Sequence, residues 1–181
     1  MMQIIFDRIA SHGLTDWAVL LQGIKGIPGQ SGDIPSSCIG DFANMELERI
    51  AIDDPLFNIV SNLAIDSSLP RYELALELEE ICMSKNLDIQ RGKRIWRAAA
   101  LEEILANPDV EPLYGLIRLS EFWSDWGWPI DAPQSMRHNA AFMPEYKYHS
   151  IENYENIVRE HEQWLEDELT ILKFKDRTVR Y

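Results

Sequence analysis

WRAAALEEILANPDVEPLYGLIRLSEFWSDWGWP, residues Trp96 to Pro129, holds two helical runs back to back. Ile95, Trp96, Ala99 and the apolar positions from Leu101 to Leu105 share one helical face, and this pattern extends back to about Asp88. Asn107-Pro108 breaks it, because proline supplies no amide hydrogen and restricts the residue before it. Asp109 can cap the second run, Pro112 is tolerated in its first turn, and Leu116, Leu119, Phe122, Trp123 and Trp126 recur on its inner face. Two amphipathic helices joined by a short break make a helical hairpin, and the fold class follows from this unit.

The same periodicity recurs outward in both directions. Ile4, Ile5, Ile9 and Ala10 predict a short first helix closed by Gly13. Thr15 is the expected cap of a second, with Trp17, Leu20 and Leu21 on one face and its end near Gly23. From Gly23 to Gly40 there are five glycines and two prolines, which reads as a loop with at most one turn of helix. Asp54-Pro55 opens a helix carrying Leu56, Val60 and Leu63. Residues Ser68 to Pro70 open another, in which Leu74, Leu78, Ile81 and Cys82 form the seam and Glu73, Glu77 and Glu80 face water. Ser150 caps a long final helix with the seam Ile151, Tyr154, Val158, His161, Leu165, Leu169 and Leu172. Between Gly127 and Ser150 no period is kept. The expected architecture is all-α, a single domain over residues 1–181: an irregular helical bundle or short helical-hairpin stack, with a long aromatic loop before the C-terminal helix.

Composition narrows the function classes. Of 181 residues, 46% are hydrophobic and 26% charged, the balance of a folded globular chain. The start, MMQIIFDRIASHGL, is interrupted by Asp7 and Arg8 and carries no signal-peptide pattern; no run is long enough to span a membrane, so the expected location is the cytoplasm. Net charge is −13 and uneven. Residues 41–88 hold 11 acids against three bases, and residues 152–168 hold seven acids against Arg159. Arg91, Lys93, Arg94 and Arg97 form a small basic cluster between these blocks. A surface of this sign repels phosphate, so neither nucleic acid nor an anionic membrane is the expected partner, and a basic protein is. The plainer use of the same charge is solubility.

Motifs for chemistry do not assemble. His12, His138, His149 and His161 form no metal-ligand spacing, and Cys38 and Cys82 form no CxxC, so no metal and no cofactor is expected. His161 falls on an apolar seam, where a hydrogen-bonded core histidine is the simpler reading. GIKGIPGQSG, from Gly23 to Gly32, lacks the GK[ST] ending of a phosphate loop, and the chain contains no GxSxG. Glu79-Glu80 and Glu102-Glu103 are adjacent on helices and read as solvated faces. The best candidate is aromatic: FWSDWGWP, Phe122 to Pro129, places three of the six tryptophans within six residues. Trp126, Trp128, Arg137, His138 and Tyr146 are the candidate binding residues, since Trp, Tyr and Arg dominate interface hot spots. Trp123 and Trp126 are equally placed to complete the core face of their helix, with Trp128-Pro129 folding back over its end.

The Trp96–Pro129 string, its turn Asp125-Trp126-Gly127-Trp128-Pro129 and the downstream Met143-Pro144 resemble an uncharacterised bacterial family, domain of unknown function 2247. The resemblance implies an all-helical fold and a grouping with immunity proteins of bacterial polymorphic toxin systems. It implies no catalytic residues. Two readings of function remain: a non-enzymatic binding protein that neutralises a cognate basic toxin domain through an acidic surface, or an enzyme of unrecognised type using Asp125, Arg137 and His138 near the Trp126–His138 loop. A scaffold protein with the same surface is a third.

Overall fold

Met2, Ile5, Phe6 and Ile9, spaced by three, one and three, are buried along the first helix, α1 (Met2–Ser11). The structure, a computed structural model, describes residues 1–32, 34–66, 69–136 and 143–177, with side chains to residue 174. Helix α1 ends where expected: Gly13 takes φ +68°, its N–H donates to the Ala10 carbonyl at 2.9 Å, and the Leu14 N–H donates to the Ile9 carbonyl at 3.2 Å. This Schellman closure satisfies carbonyls that the helix end would leave bare. The chain divides into two compact units, Met1–Trp96 and Arg97–Tyr181.

Helix α2 (Trp17–Lys25) is the centre of the first unit, with every residue from Trp17 to Ile24 buried. Its cap is Asp16 rather than Thr15. The Asp16 carboxylate accepts from the Val19 N–H at 2.8 Å and holds the Arg91 guanidinium at 2.6 Å. The helix also runs two residues past Gly23, where a Cβ would meet the Ile34 and Trp96 side chains at 2.8–2.9 Å. Glycine there serves close packing, not an ending. Strands β1 (Gly26–Ile27) and β2 (Gln30–Ser31) then pair antiparallel across Pro28-Gly29.

The stretch read as a loop to Gly40 contains a helix, α3 (Ser36–Leu47), which packs on α4 (Phe57–Ile65). Ile39 and Ala43 bury one face of α3, and Phe42 meets Trp17 edge-on at 4.8 Å. Asp54 caps the turn before α4 through the Leu56 N–H at 2.8 Å. Helix α5 (Arg71–Ser84) packs on α2 and buries Leu74, Leu78, Ile81 and Cys82, the seam expected of it; Ser68 lies outside the described residues. Glu77 departs from expectation. It is half-buried, and burial, followed by repulsion from Glu73 and Glu80, raises its carboxyl above the ordinary range. Burial raises the Cys82 thiol to about 11, as an inert core thiol requires.

Helix α6 (Ile89–Ala106) begins in the first unit and ends in the second, the division falling between Trp96 and Arg97. Asp88 caps it through the Gln90 and Arg91 N–H groups. Trp96 is fully buried and its indole N–H donates to the Val19 carbonyl at 2.8 Å. In the second unit, α7 (Pro112–Asp125) starts with proline at its first position and packs on the long helix α9 (Ile151–Arg177). A Cβ on Gly115 would sit 2.3 Å from the Tyr154 ring, so only glycine lets the two helices approach this closely. The aromatic stretch between them includes a short helix, α8 (Glu145–Tyr148). Apart from the hairpin, the regular structure among the described residues is helical, and the fold class is all-α.

The buried face of α9 is turned from the expected seam. Tyr154, Ile157, His161, Glu168 and Leu172 are buried, whereas Ile151 is exposed and Leu165 and Leu169 are only half-buried. A glutamate replaces leucine at the centre because a guanidinium waits for it there.

Asp16→Ala removes both the α2 cap and the Arg91 partner, and is expected to destabilise the fold by about 1–2 kcal/mol. Asp16→Asn keeps the cap geometry and should cost less; urea denaturation midpoints at constant slope measure both. Gly115→Ala is expected to cost about 1–3 kcal/mol by forcing α7 off Tyr154.

Candidate functional site

Three buried polar side chains organise the second unit. The His161 ring is fully enclosed. Its Nε2 accepts from the Trp123 indole at 2.8 Å, and its Nδ1 lies 2.7 Å from the Ile157 carbonyl, which can only accept. The proton therefore sits on Nδ1 and the imidazole is neutral, since a second proton would face the indole N–H. Burial, the largest influence, lowers its pKa below the ordinary 6.5. The sequence reading of His161 as a hydrogen-bonded core residue holds, and both ring nitrogens are committed.

Arg97, assigned by sequence to a surface cluster, is instead buried. Its Nη2 reaches Asp131 Oδ2 at 2.5 Å and Glu168 Oε1 at 3.6 Å, and Glu168 is itself buried. Its guanidinium carbon lies 5.2 Å from the Trp164 ring centroid and 5.9 Å from that of Trp123. The two indoles meet edge-on at 5.2 Å, and the Trp164 N–H donates to the Asp131 carbonyl at 2.6 Å. Two carboxylates neutralise the cation and two indole rings lie against it, which offsets the cost of its burial, although its Nε–H has no hydrogen-bond partner. The arrangement anchors Asp131 and the segment after it to α9. The sequence carried one usable signal: His161 and Glu168 are seven residues apart, hence on one helix face.

The candidate binding residues are dispersed. Helix α7 closes with Gly127 at φ +72°, and the Trp128 N–H donates to the Trp123 carbonyl at 2.9 Å, so Trp128 folds back over the helix end, itself at φ +48°. Trp123 is fully buried; Trp126 is half-buried, with its ring 6.2 Å from Phe122. Trp128 is 36% exposed, Tyr146 on α8 is 75% exposed, and Asp125 is exposed. Arg137 and His138 lie outside the described residues. Among the described residues no cluster of three or more His, Cys, Asp or Glu is placed to hold a metal ion, and no helix is long and apolar enough to cross a membrane.

A groove missed by the sequence reading lies between the α6–α7 turn and the first three turns of α9. It measures about 530 Å³, with Val110, Pro112, Ile151, Tyr154 and Val158 as its apolar lining. Asp109, Glu155 and Glu162 stand on its rim with one base, Arg159. Burial, first, and the Asp109 charge raise the Tyr154 hydroxyl above its ordinary pKa, so the phenol is neutral.

Arg97→Met leaves Glu168 buried beside an apolar chain and is expected to cost about 3–5 kcal/mol, with Arg97→Met/Glu168→Met less destabilised than the single variant. A double-mutant cycle in denaturant measures the difference. As pH falls through 6.5, the unfolded chain takes up the His161 proton first, because the folded pKa is the lower. This contribution to stability is complete above 6.5 and lost below it. His161→Gln should flatten the dependence of the unfolding midpoint between about pH 5 and 7.

No curated protein and no solved structure matches the chain. A family described as an uncharacterised protein conserved in bacteria, domain of unknown function 2247, matches residues 6–169, and the chain belongs to that family.

Proposed function

We propose that this chain is a non-enzymatic binding protein of the immunity type, which neutralises a basic toxin domain by covering it with an acidic surface. The observation that carries the reading is the company kept by its carboxylates. Helix α5 exposes Tyr72, Leu76 and Met83 among Glu73, Glu77, Glu79 and Glu80. Helix α9 exposes Ile151 beside Glu152 and Glu155 at the head of its acidic block. Acidic side chains needed only for solubility do not call for large apolar neighbours in water, whereas an interface uses both: charge to steer the encounter, apolar area to hold it. The −13 charge supports a basic partner and disfavours nucleic acid or an anionic membrane. Both ring nitrogens of His161 are hydrogen-bonded and Arg97 is paired with Asp131, which favours a structural over a catalytic use of these two residues. Action in the cytoplasm, where a toxin domain would meet its target, belongs to the same reading.

Co-expression with each toxin-like product encoded beside this chain tests it. Growth is expected to be rescued, the two proteins to co-purify, and the affinity to fall about tenfold or more between low and high salt. Failure of every neighbouring toxin-like product to bind, with no growth rescue, sinks the proposal.

A further inference from the structure

We infer that the groove between residues 108–112 and the first three turns of α9 receives an amphipathic helix with a basic rim, supplied by the partner protein. This rests on the binding reading above and names the surface and the chemistry it selects. Ile151, Tyr154 and Val158 follow one another at i, i+3 and i+7 along α9, with Glu155 and Glu162 on the flanking row. Residues 151 to 162 rise about 16 Å, so the groove matches about three turns of an opposing helix. Two of its apolar side chains stand in water, Val110 at 95% exposed and Ile151 at 65%, while Tyr154 is buried.

The rim decides the sign of the occupant. Three carboxylates face one guanidinium, and that guanidinium is turned along its own helix. Arg159 Nε donates to the Glu155 carbonyl at 3.3 Å and Nη2 donates to the Asn156 side chain. Glu155 and Glu162 consequently have no ion-pair partner among the described residues, while Asp109 shares Arg118 at 3.6 Å. Lysines or arginines flanking an apolar stripe would complete this rim. The walls also decide the backbone. One is a helix, the other a turn bracketed by Pro108 and Pro112, which have no amide hydrogens to offer. Neither wall is a strand edge that an extended peptide could lengthen, so the occupant must satisfy its own backbone, as a helix does.

The test uses the full isotope-labelled chain and two helical peptides of about 14 residues, each with leucines at i, i+3, i+4 and i+7, one flanked by lysines and one by glutamates. The lysine peptide is expected to shift the amides of residues 108–112 and 151–162. Glu155→Lys/Glu162→Lys and Val110→Asp should each weaken it about tenfold or more, and the glutamate peptide should not bind. These side chains are exposed, so unchanged circular dichroism is expected of the variants. Equal binding of both peptides, shifts confined elsewhere, no binding at millimolar peptide, or a concentration-dependent dimer dissolved by Val110→Asp overturns the inference. A neighbour-encoded toxin domain that binds wild type and both variants alike also overturns it and leaves the binding reading standing. Lysine-peptide binding in the groove without any toxin-domain binding does the reverse.

Discussion

An indole N–H or a guanidinium taken out of water is costly unless it finds an acceptor, and α6 carries one of each at consecutive positions, Trp96 and Arg97. Much of the arrangement in each unit answers that demand. Trp96 meets the Val19 carbonyl, which requires α2 within reach; Gly92 permits it, since a Cβ there would lie 2.9 Å from the Ala18 carbonyl. Arg97 requires carboxylates. Asp131 and Glu168 supply them, and Trp123 and Trp164 close over the cation. Removing either carboxylate would leave charge in a medium that solvates it poorly, so the partners hold the chain in place more firmly than apolar contact alone would.

The same logic separates the two faces of α9. Its inner face carries a histidine and a glutamate that are hydrogen-bonded or ion-paired, with the histidine kept neutral by burial. Its outer face carries exposed carboxylates beside an apolar groove. Titratable groups of the first kind support stability. Those of the second kind lie at the surface of this member of an uncharacterised bacterial family.

Much of the fold was legible because burial and periodicity coincide. The α5 seam, the Gly13 ending, the Asp88-to-Leu105 helix and the buried His161 all follow from spacing and local capping rules. Helix α3 was not legible. Its neighbourhood is rich in glycine and proline, and Gly40 sits in its buried face, where packing against α4 outweighs a weak intrinsic propensity. The Asp16 cap was obscured by Thr15, an equally good capping residue one position earlier, and Arg91, 75 residues away, adds to the choice. Trp126, Trp128 and Tyr146 were chosen by residue type, which speaks to interface preference but not to position. The groove beside α9 left no mark at all, because its lining comes from two segments about 40 residues apart.

By itself the sequence determined the helical class, several helix ends, and the sign and clustering of charge along the chain, because these depend on neighbours within one or two turns. Tertiary structure decided which polar residues leave the water. Arg97 and Glu168 look like ordinary surface charges in their own segments and become buried partners only when α6 and α9 are brought together. The cost of burying a charge depends on what lies across from it, and that is set by packing between distant parts of the chain.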